Sequence, residues 1–339
     1  GGAMPERSYA GDVEFGPSAA LADFRETHLG WFDTALKGVE DTVQPDAPVR
    51  IFVMGGGGGE KDGSGRLQHG GVWRDELEWP LARTRFTTLY LHGHGSLLEE
   101  APADASSSTT YRFDPSNPVP SIGGNVSSLS SFTGLPVGAS DPESVPRAET
   151  LDEIMAPGGF DQIERADLFG ARAPYLPLGS RPDVLVFQTP PLEEDMEVTG
   201  PIEVRLWVSS SAVDTDFTAK LIDVYPSSRW YPDGYRLNLT DSIMRLRYRN
   251  GDGIPDFLTP GDTAEITITL YPTSNLFSRG HRIRLDVSSS NFPRFDVNPN
   301  TGEAIGRERR RVTADNTVYH DARRSSALIL PVIPDDSSR

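Results

Sequence analysis

The densest run of groups able to do chemistry is SSSNFPRFDVNPNTG, residues 288–302, which brings Asn291, Arg294, Asp296 and Asn298 into one short stretch. Amide, guanidinium and carboxylate groups that close together can grip a polar substrate through hydrogen bonds and charge. These four are the substrate-cleft candidates, with a turn that satisfies its own polar groups as the alternative. A second oxygen-rich stretch, NGDGIPD, sets Asn250, Asp252 and Asp256 around glycines in the manner of one turn of a calcium loop. It lacks the downstream bidentate acid of such loops, so no metal and no cofactor are assigned. Asp214 and Asp216 could share a strand face and hold a cation. Six histidines are potential bases. His28 lies on the apolar stripe of a helix, where a packed or capped role is expected, and His69 sits in a glycine-rich loop and is expected to be exposed. His92 and His94 have the spacing of two ligands on one strand face but no partner set around them. His281 and His320 fall inside strand motifs, and His320 with its neighbour Asp321 would point to opposite faces.

The elements that must position these groups read mainly as strands. Val198, Ile202, Val204, Leu206 and Val208 alternate with polar residues, the period of a strand with one face in a core. The alternation returns in Phe217, Ala219, Leu221 and Asp223, in Ile266, Ile268 and Leu270, in Ile283, Leu285 and Val287, and in Leu328, Leu330 and Val332. Gly, Pro, Asn and Asp clusters separate the runs and turn the chain. The one strong helical pattern spans residues 17–38, with Leu21, Phe24, His28, Trp31, Phe32, Ala35 and Leu36 on one stripe. Pro17 suits its first turn and Gly38 its stop. A short apolar strand follows at Val49 to Gly55. The glycine-rich stretch from Gly55 to Gly71 lacks the Lys-Ser/Thr ending of a phosphate loop, and the segment from Glu99 to Arg181 has little periodicity and is read as a surface wrap.

With 339 residues the chain can hold two domains, each with its own core. It has no cysteine, which excludes disulfides, a thiol nucleophile and cysteine metal sites. A formal charge of −17 argues against nucleic acid as a partner. The basic cluster Arg307 to Arg311 is read as a solvated loop, or else as a contact for an acidic partner or domain. No stretch approaches the length of a membrane helix. The reading is a soluble protein, cytoplasmic slightly favoured, with no membrane partner.

Three blocks carry a family resemblance: VTGPIEVRLWVSSSAVDTDFTAKLIDVYP, YPTSNLFSRGHRIRLDVSSSNFPRFDVNPNTG and NTVYHDARRSSALILPVIP. They resemble the C-terminal β-domain of X-prolyl dipeptidyl-peptidase and cocaine-esterase-like (CocE/NonD) serine hydrolases over most of residues 180–334. The resemblance implies a mainly β fold, a jelly-roll β-sandwich of galactose-binding-like type, preceded by a C-terminal remnant of an α/β-hydrolase domain. The corresponding division is residues 1–58 for the hydrolase remnant, 59–180 for a Gly-rich insertion and long linker with a first sandwich strand near 84–92, and 181–334 for the sandwich. It also implies that Asp214 and Asp216 are structural hydrogen-bond acceptors at a strand start, and acyl transfer through a Ser-His-Asp triad. The near match to a nucleophile motif is ERSYAG, Glu6 to Gly11, where Glu6 replaces the first glycine and no strand precedes Ser8. Ser8 is read as a decoy and no catalytic residue is assigned; nucleophile, acid and base would lie upstream of Gly1. The expected role is an accessory domain that packs on an upstream α/β catalytic segment or chain and shapes its cleft for a small ester or peptide. The exposed flank of Trp31 and Phe32 calls for such a contact, a homo-oligomer being the other way to cover it. The competing reading is a stand-alone carbohydrate- or protein-binding module with Trp230 and Tyr231 as its platform.

Overall fold

A computed structural model describes residues 7–21, 23–39, 47–125 and 157–334. Glu6, the first position of the ERSYAG motif, and Gly1 to Met4 lie outside them. The fold is mainly β. A thirteen-stranded curled sheet carries the core. Its strands are β3 (Val49–Gly55), β5 (Gly71–Glu76), β6 (Arg85–His92), β7 (Ser96–Leu98), β8 (Ser108–Phe113), β9 (Leu185–Gln188) and β10 (Met196–Ser210). They continue with β11 (Asp216–Tyr225), β12 (Tyr235–Arg245), β13 (Thr263–Phe277), β14 (Arg282–Ser288), β15 (Ala314–Tyr319) and β16 (Ala327–Ile333). The order runs β12-β11-β14-β9-β7-β6-β16-β10-β13-β3-β5, with β15 leaving β10 to pair with β8.

β10 is the hub because its alternating side chains demand burial. Val198, Ile202, Val204, Leu206 and Val208 are fully buried, and the strand pairs antiparallel with β13 on one edge and with β16 and β15 on the other. The pairing is interrupted between Gly200 and Ile202, where Pro201 has no N–H to give a ladder. Gly200 has φ 140° and a Cβ there would meet Pro331 at 3.0 Å, so the irregularity needs glycine. One apolar cluster joins these strands to β11 and β14 through Phe217, Leu221, Ile283 and Leu285. Thr240 Oγ1 of β12 donates to the Tyr271 carbonyl of β13 at 3.0 Å, so strands far apart in the pairing order come close as the sheet curls.

Two smaller layers cover β11 and β12. A three-stranded sheet of β1 (Tyr9–Ala10), β2 (Val13–Glu14) and β4 (Leu67–Gln68) buries Val13 and Leu67 against Tyr225, Tyr235 and Leu237. Residues 160–184 add Phe160, Leu178 and Val184, which pack with Val119 and Ile122.

Three sequence expectations differ from what the fold displays. The helix is divided: Pro17–Ala19 forms a single 3-10 turn and α1 runs Phe24–Lys37. The break falls at Ala20, which is extended at φ −72°, ψ 127°, while Gly38 ends α1 in the left-handed conformation as its sequence position suggested. The strand Val49–Gly55, grouped by sequence with a hydrolase remnant, pairs with β13 and β5 in the main sheet. Nor does the sheet begin near residue 181 with one outlying strand at 84–92; β3, β5, β7 and β8 are members as well. Strands as short as Ser96–Leu98 leave no readable alternation.

Candidate functional site

The polar loop after β14 keeps most of its functional groups turned inward. Asn291 is buried and its amide nitrogen donates to Asp241 Oδ2 at 2.8 Å. Arg294 Nε lies 2.9 Å from Asp241 Oδ1, with both side chains under a tenth exposed. That contact is a close ion pair rather than an aligned hydrogen bond, because Arg294 Nε, Arg294 Nη1, Asp241 Oδ1 and Asn291 Oδ1 are all buried without a hydrogen-bond partner among the described residues. The Arg294 guanidinium also stands over the rings of Phe295 and Tyr271, at 5.3 and 5.7 Å. Asn298 donates from one amide nitrogen to Asp214 Oδ2 and Asp216 Oδ1, each at 2.8 Å. Asp296 is the exposed member, and its backbone carbonyl receives Arg245 Nη2 at 3.4 Å.

The loop is therefore held from behind by two buried carboxylate centres. Asp241 on β12 anchors Asn291 and Arg294. Asp214 and Asp216 anchor Asn298 and also take Arg247 and Arg245: Arg247 Nε donates to Asp214 Oδ2 at 2.8 Å, and Arg245 reaches both Asp216 oxygens at 2.9 Å. Burial pushes the Asp216 carboxyl up, and the Arg245 and Asn298 donors oppose it. The pair suspected of holding a cation is thus occupied by guanidinium and amide donors. What the loop offers outward is the Asp296 carboxylate, while the Arg294 Nη1 donor and the Asn291 Oδ1 acceptor stay buried behind it.

The calcium-like residues share one exposed loop. Asp256 accepts from the Arg249 guanidinium and, at 3.0 Å, from Asn250 Nδ2, while Asp252 Oδ1 accepts the Ile254 N–H at 2.9 Å. A cation would have to displace the guanidinium, and the described residues contain no group of three His, Asp or Glu side chains able to hold a metal. Ser8 precedes the two-residue strand β1, and its carbonyl accepts the Phe15 N–H at 2.8 Å; no helix follows to make a nucleophile turn. Trp230 is exposed with Arg229 over its ring at 4.8 Å, whereas the Tyr231 ring is taken up by Lys61 and by an edge contact with Tyr235.

His69 corrects the sequence expectation outright. It is fully buried, at the centre of a chain of polar groups that sequence reasoning did not assemble. His69 Nε2 lies 2.8 Å from Asn275 Oδ1, Asn275 Nδ2 donates to Asp223 Oδ2 at 3.4 Å, and His281 Nδ1 lies 2.8 Å from Asp223 Oδ1. With the Asn275 nitrogen committed to Asp223, its oxygen accepts from His69 Nε2–H, and His69 Nδ1 accepts the Tyr225 hydroxyl proton. Burial lowers the His69 pKa, with Asp223 the main opposing influence, and burial raises that of Tyr225. The chain holds a neutral imidazole with no route to solvent, so it clamps the glycine-rich loop to β11, β13 and β14 rather than performing turnover. The glycines make the burial feasible: Gly57 N donates to the His69 carbonyl at 2.7 Å, an approach that a side chain would block. The signal in the sequence was Asp223, a carboxylate ending an otherwise apolar alternating set, which demands buried donors.

The comparisons with known proteins agree with this architecture. The family model described as the X-Pro dipeptidyl-peptidase C-terminal non-catalytic domain matches residues 41–329. The chain belongs to that family. Cocaine esterase of Rhodococcus sp. (strain MB1 Bresler) is 35% identical over 334 residues, which are 95% of this chain and 48% of the esterase. A putative serine esterase of Mycobacterium bovis is 30% identical over 163 residues, 44% of this chain and 24% of that protein. Among solved structures, an aminopeptidase from a marine sediment Thaumarchaeota archaeon matches with TM-score 0.68 at 26% identity, over 97% of this chain and 47% of that one. An α-amino acid ester hydrolase matches with TM-score 0.66 at 28% identity, over 96% and 47%. The chain spans about half the length of the cocaine esterase and of the two solved structures, and as a family member it corresponds to the non-catalytic C-terminal domain of CocE/NonD-type hydrolases. None of its described helices is long and apolar enough to cross a membrane.

Proposed function

We propose that this chain is the accessory C-terminal domain of a serine esterase or X-Pro dipeptidyl-peptidase, packing on a catalytic α/β domain and forming one wall of its cleft. The observation that carries the reading is α1. None of its residues is buried, and Trp31, Leu36, Leu29 and Phe32 are 64%, 77%, 58% and 47% exposed. An apolar stripe of that size is a surface made to be covered, and each such side chain gains roughly 1.5–3 kcal/mol on full burial. The catalytic segment of the same hydrolase is its natural cover, since the cocaine esterase relative is about twice the length that this chain matches. In this reading the curled sheet is a jelly-roll of galactose-binding-like type, in which β3 and β5 to β8 join the strands of residues 181–334, and α1 is the part that belongs with the hydrolase domain. Asn291, Arg294, Asp296 and Asn298 line or support the cleft wall, and the Ser, His and acid of acyl transfer come from the catalytic domain.

The test joins intact mass and N-terminal sequencing of the native product to assays with a chromogenic ester and an X-Pro amide. The expected result is a larger product carrying G-x-S-x-G that turns over one of the two, together with a 339-residue chain that is silent toward both. Turnover by that chain alone, abolished in Ser8→Ala, would sink the reading. A native product of this length with no activity would favour the binding module instead.

A further inference from the structure

A cavity of about 790 Å³ opens beside the polar loop, between the 115–120 segment, the turn at 169–172 and the stretch from 296 to 311. That volume lies within the roughly 300–1,000 Å³ of small-molecule sites. Its floor is apolar. Phe169 and Phe292 stand with ring centroids 6.0 Å apart, flanked by Pro118, Pro120, Val297 and Ile305. Its rim is basic: Arg172, Arg245, Arg309, Arg310 and Arg311 outnumber the acids Asp296 and Glu308. On a chain of formal charge −17 this is a local reversal of sign.

Three of the five guanidiniums are engaged. Arg245 is bidentate on Asp216, Arg310 Nε is 3.4 Å from Glu303 Oε1, and Arg311 Nη1 donates to the Pro115 carbonyl at 3.5 Å. Arg172 and Arg309 have no acidic partner among the described residues, and both face the cavity. The basic run that the sequence offered as a solvated strip thus lends three of its members to the wall of a concave apolar site. A free guanidinium above such a floor matches a carboxylate attached to an apolar body. The two acids on the rim disfavour a ligand of higher charge, which could not keep all its negative charge near the arginines.

We propose that this cavity binds a small amphipathic carboxylate, its apolar group on the Phe169–Phe292 floor and its carboxylate between Arg172 and Arg309. Every wall named belongs to this chain, so the site forms whether or not a catalytic domain is docked, and it stands or fails separately from the accessory-domain reading. Calorimetric titration of the 339-residue chain with 3-phenylpropionate at low ionic strength tests it, with 3-phenylpropanamide and inorganic phosphate as comparisons. The acid is expected to bind saturably and on the order of tenfold more tightly than the amide, because the charge-assisted pair is lost in the neutral analogue. Arg172→Ala and Arg309→Ala are expected to weaken it by roughly fivefold or more each. Arg307→Ala, on the same basic run but outside the cavity lining, should leave it unchanged, and thermal midpoints of all three should match the parent. Equal binding of acid and amide would reduce the site to an apolar groove and overturn the proposal. So would phosphate binding as tightly as the acid, affinity indifferent to both arginine substitutions, or no saturation in the millimolar range.

Discussion

His69 decides how a loop of mostly glycine becomes part of the core. It spends both ring nitrogens on buried partners, Tyr225 and Asn275, and it is kept neutral by burial. Removing it leaves a hydroxyl and an amide carbonyl without partners, a loss of about 1–3 kcal/mol for each buried group stranded. His69→Gln is expected to lower the urea midpoint at pH 7.5 accordingly. The pH dependence has a definite sign. Because the folded pKa lies below the unfolded value of 6.5, the unfolded chain takes up the proton first as the solution is acidified. The His69 contribution is therefore complete above about pH 6.5 and is lost as pH falls below it toward the folded pKa. His320, also lowered by burial, contributes with the same sign but is present in both proteins. The difference between parent and His69→Gln isolates His69: the parent should lose stability more steeply between about pH 6.5 and 5. Parallel slopes over that window would show that His69 is not the neutral, buried group described here.

At the scale of the element, the glycine-rich loop makes a contrast that a single substitution can read. A Cβ on Gly57 would meet the Gln68 carbonyl oxygen and the His69 carbonyl carbon at 2.5 Å, both backbone atoms that cannot swing aside. A Cβ on Gly63, at the tip of the same loop, would meet nothing within 4 Å, and its φ is ordinary. Gly57→Ala should destabilise by about 1–3 kcal/mol through overpacking. Gly63→Ala should be neutral or gain about 0.4–1 kcal/mol by restricting the unfolded chain. Equal midpoints for the two in urea would mean that the loop is not packed as described. This loop also marks where sequence reading stops. Long alternating runs such as Ile202 to Val208 announced β10, and Gly38 announced the end of α1, because each is a local rule. The partnership of His69 with Asn275, 206 positions away, follows from pairing between distant strands, which no window of sequence contains. The polar loop lies between these cases. Its residue types marked it as a candidate, but that Asn291 and Arg294 lean on Asp241, and Asn298 on Asp214 and Asp216, depends on how the start of β11 and the end of β12 come to lie beneath it.

The whole molecule turns on one shared core. Chain length alone allows two domains with separate cores, yet β3 pairs with β13, β6 pairs with β16, and a single cluster runs from Leu89 on β6 to Leu330 on β16. A structure whose early and late strands share one cluster cannot shed half of itself without exposing the rest. The sheet should therefore unfold as one cooperative unit, even though α1 is free to fray. Leu206 is the place to test this, being fully buried on the hub strand, between Ile266 of β13 and the strands on the opposite edge. Leu206→Ala should cost about 2–5 kcal/mol, the transfer loss plus the cavity left behind. The expected result is a urea transition displaced as a whole, with tryptophan fluorescence and far-ultraviolet circular dichroism still coincident. Trp73 on β5 and Trp207 on β10 report from different parts of the sheet, so in a Trp31→Phe background, which removes the signal of α1, a fluorescence transition that separates from the dichroism would expose independent units. Two resolved transitions, with only one of them moved by Leu206→Ala, would replace the single core with two.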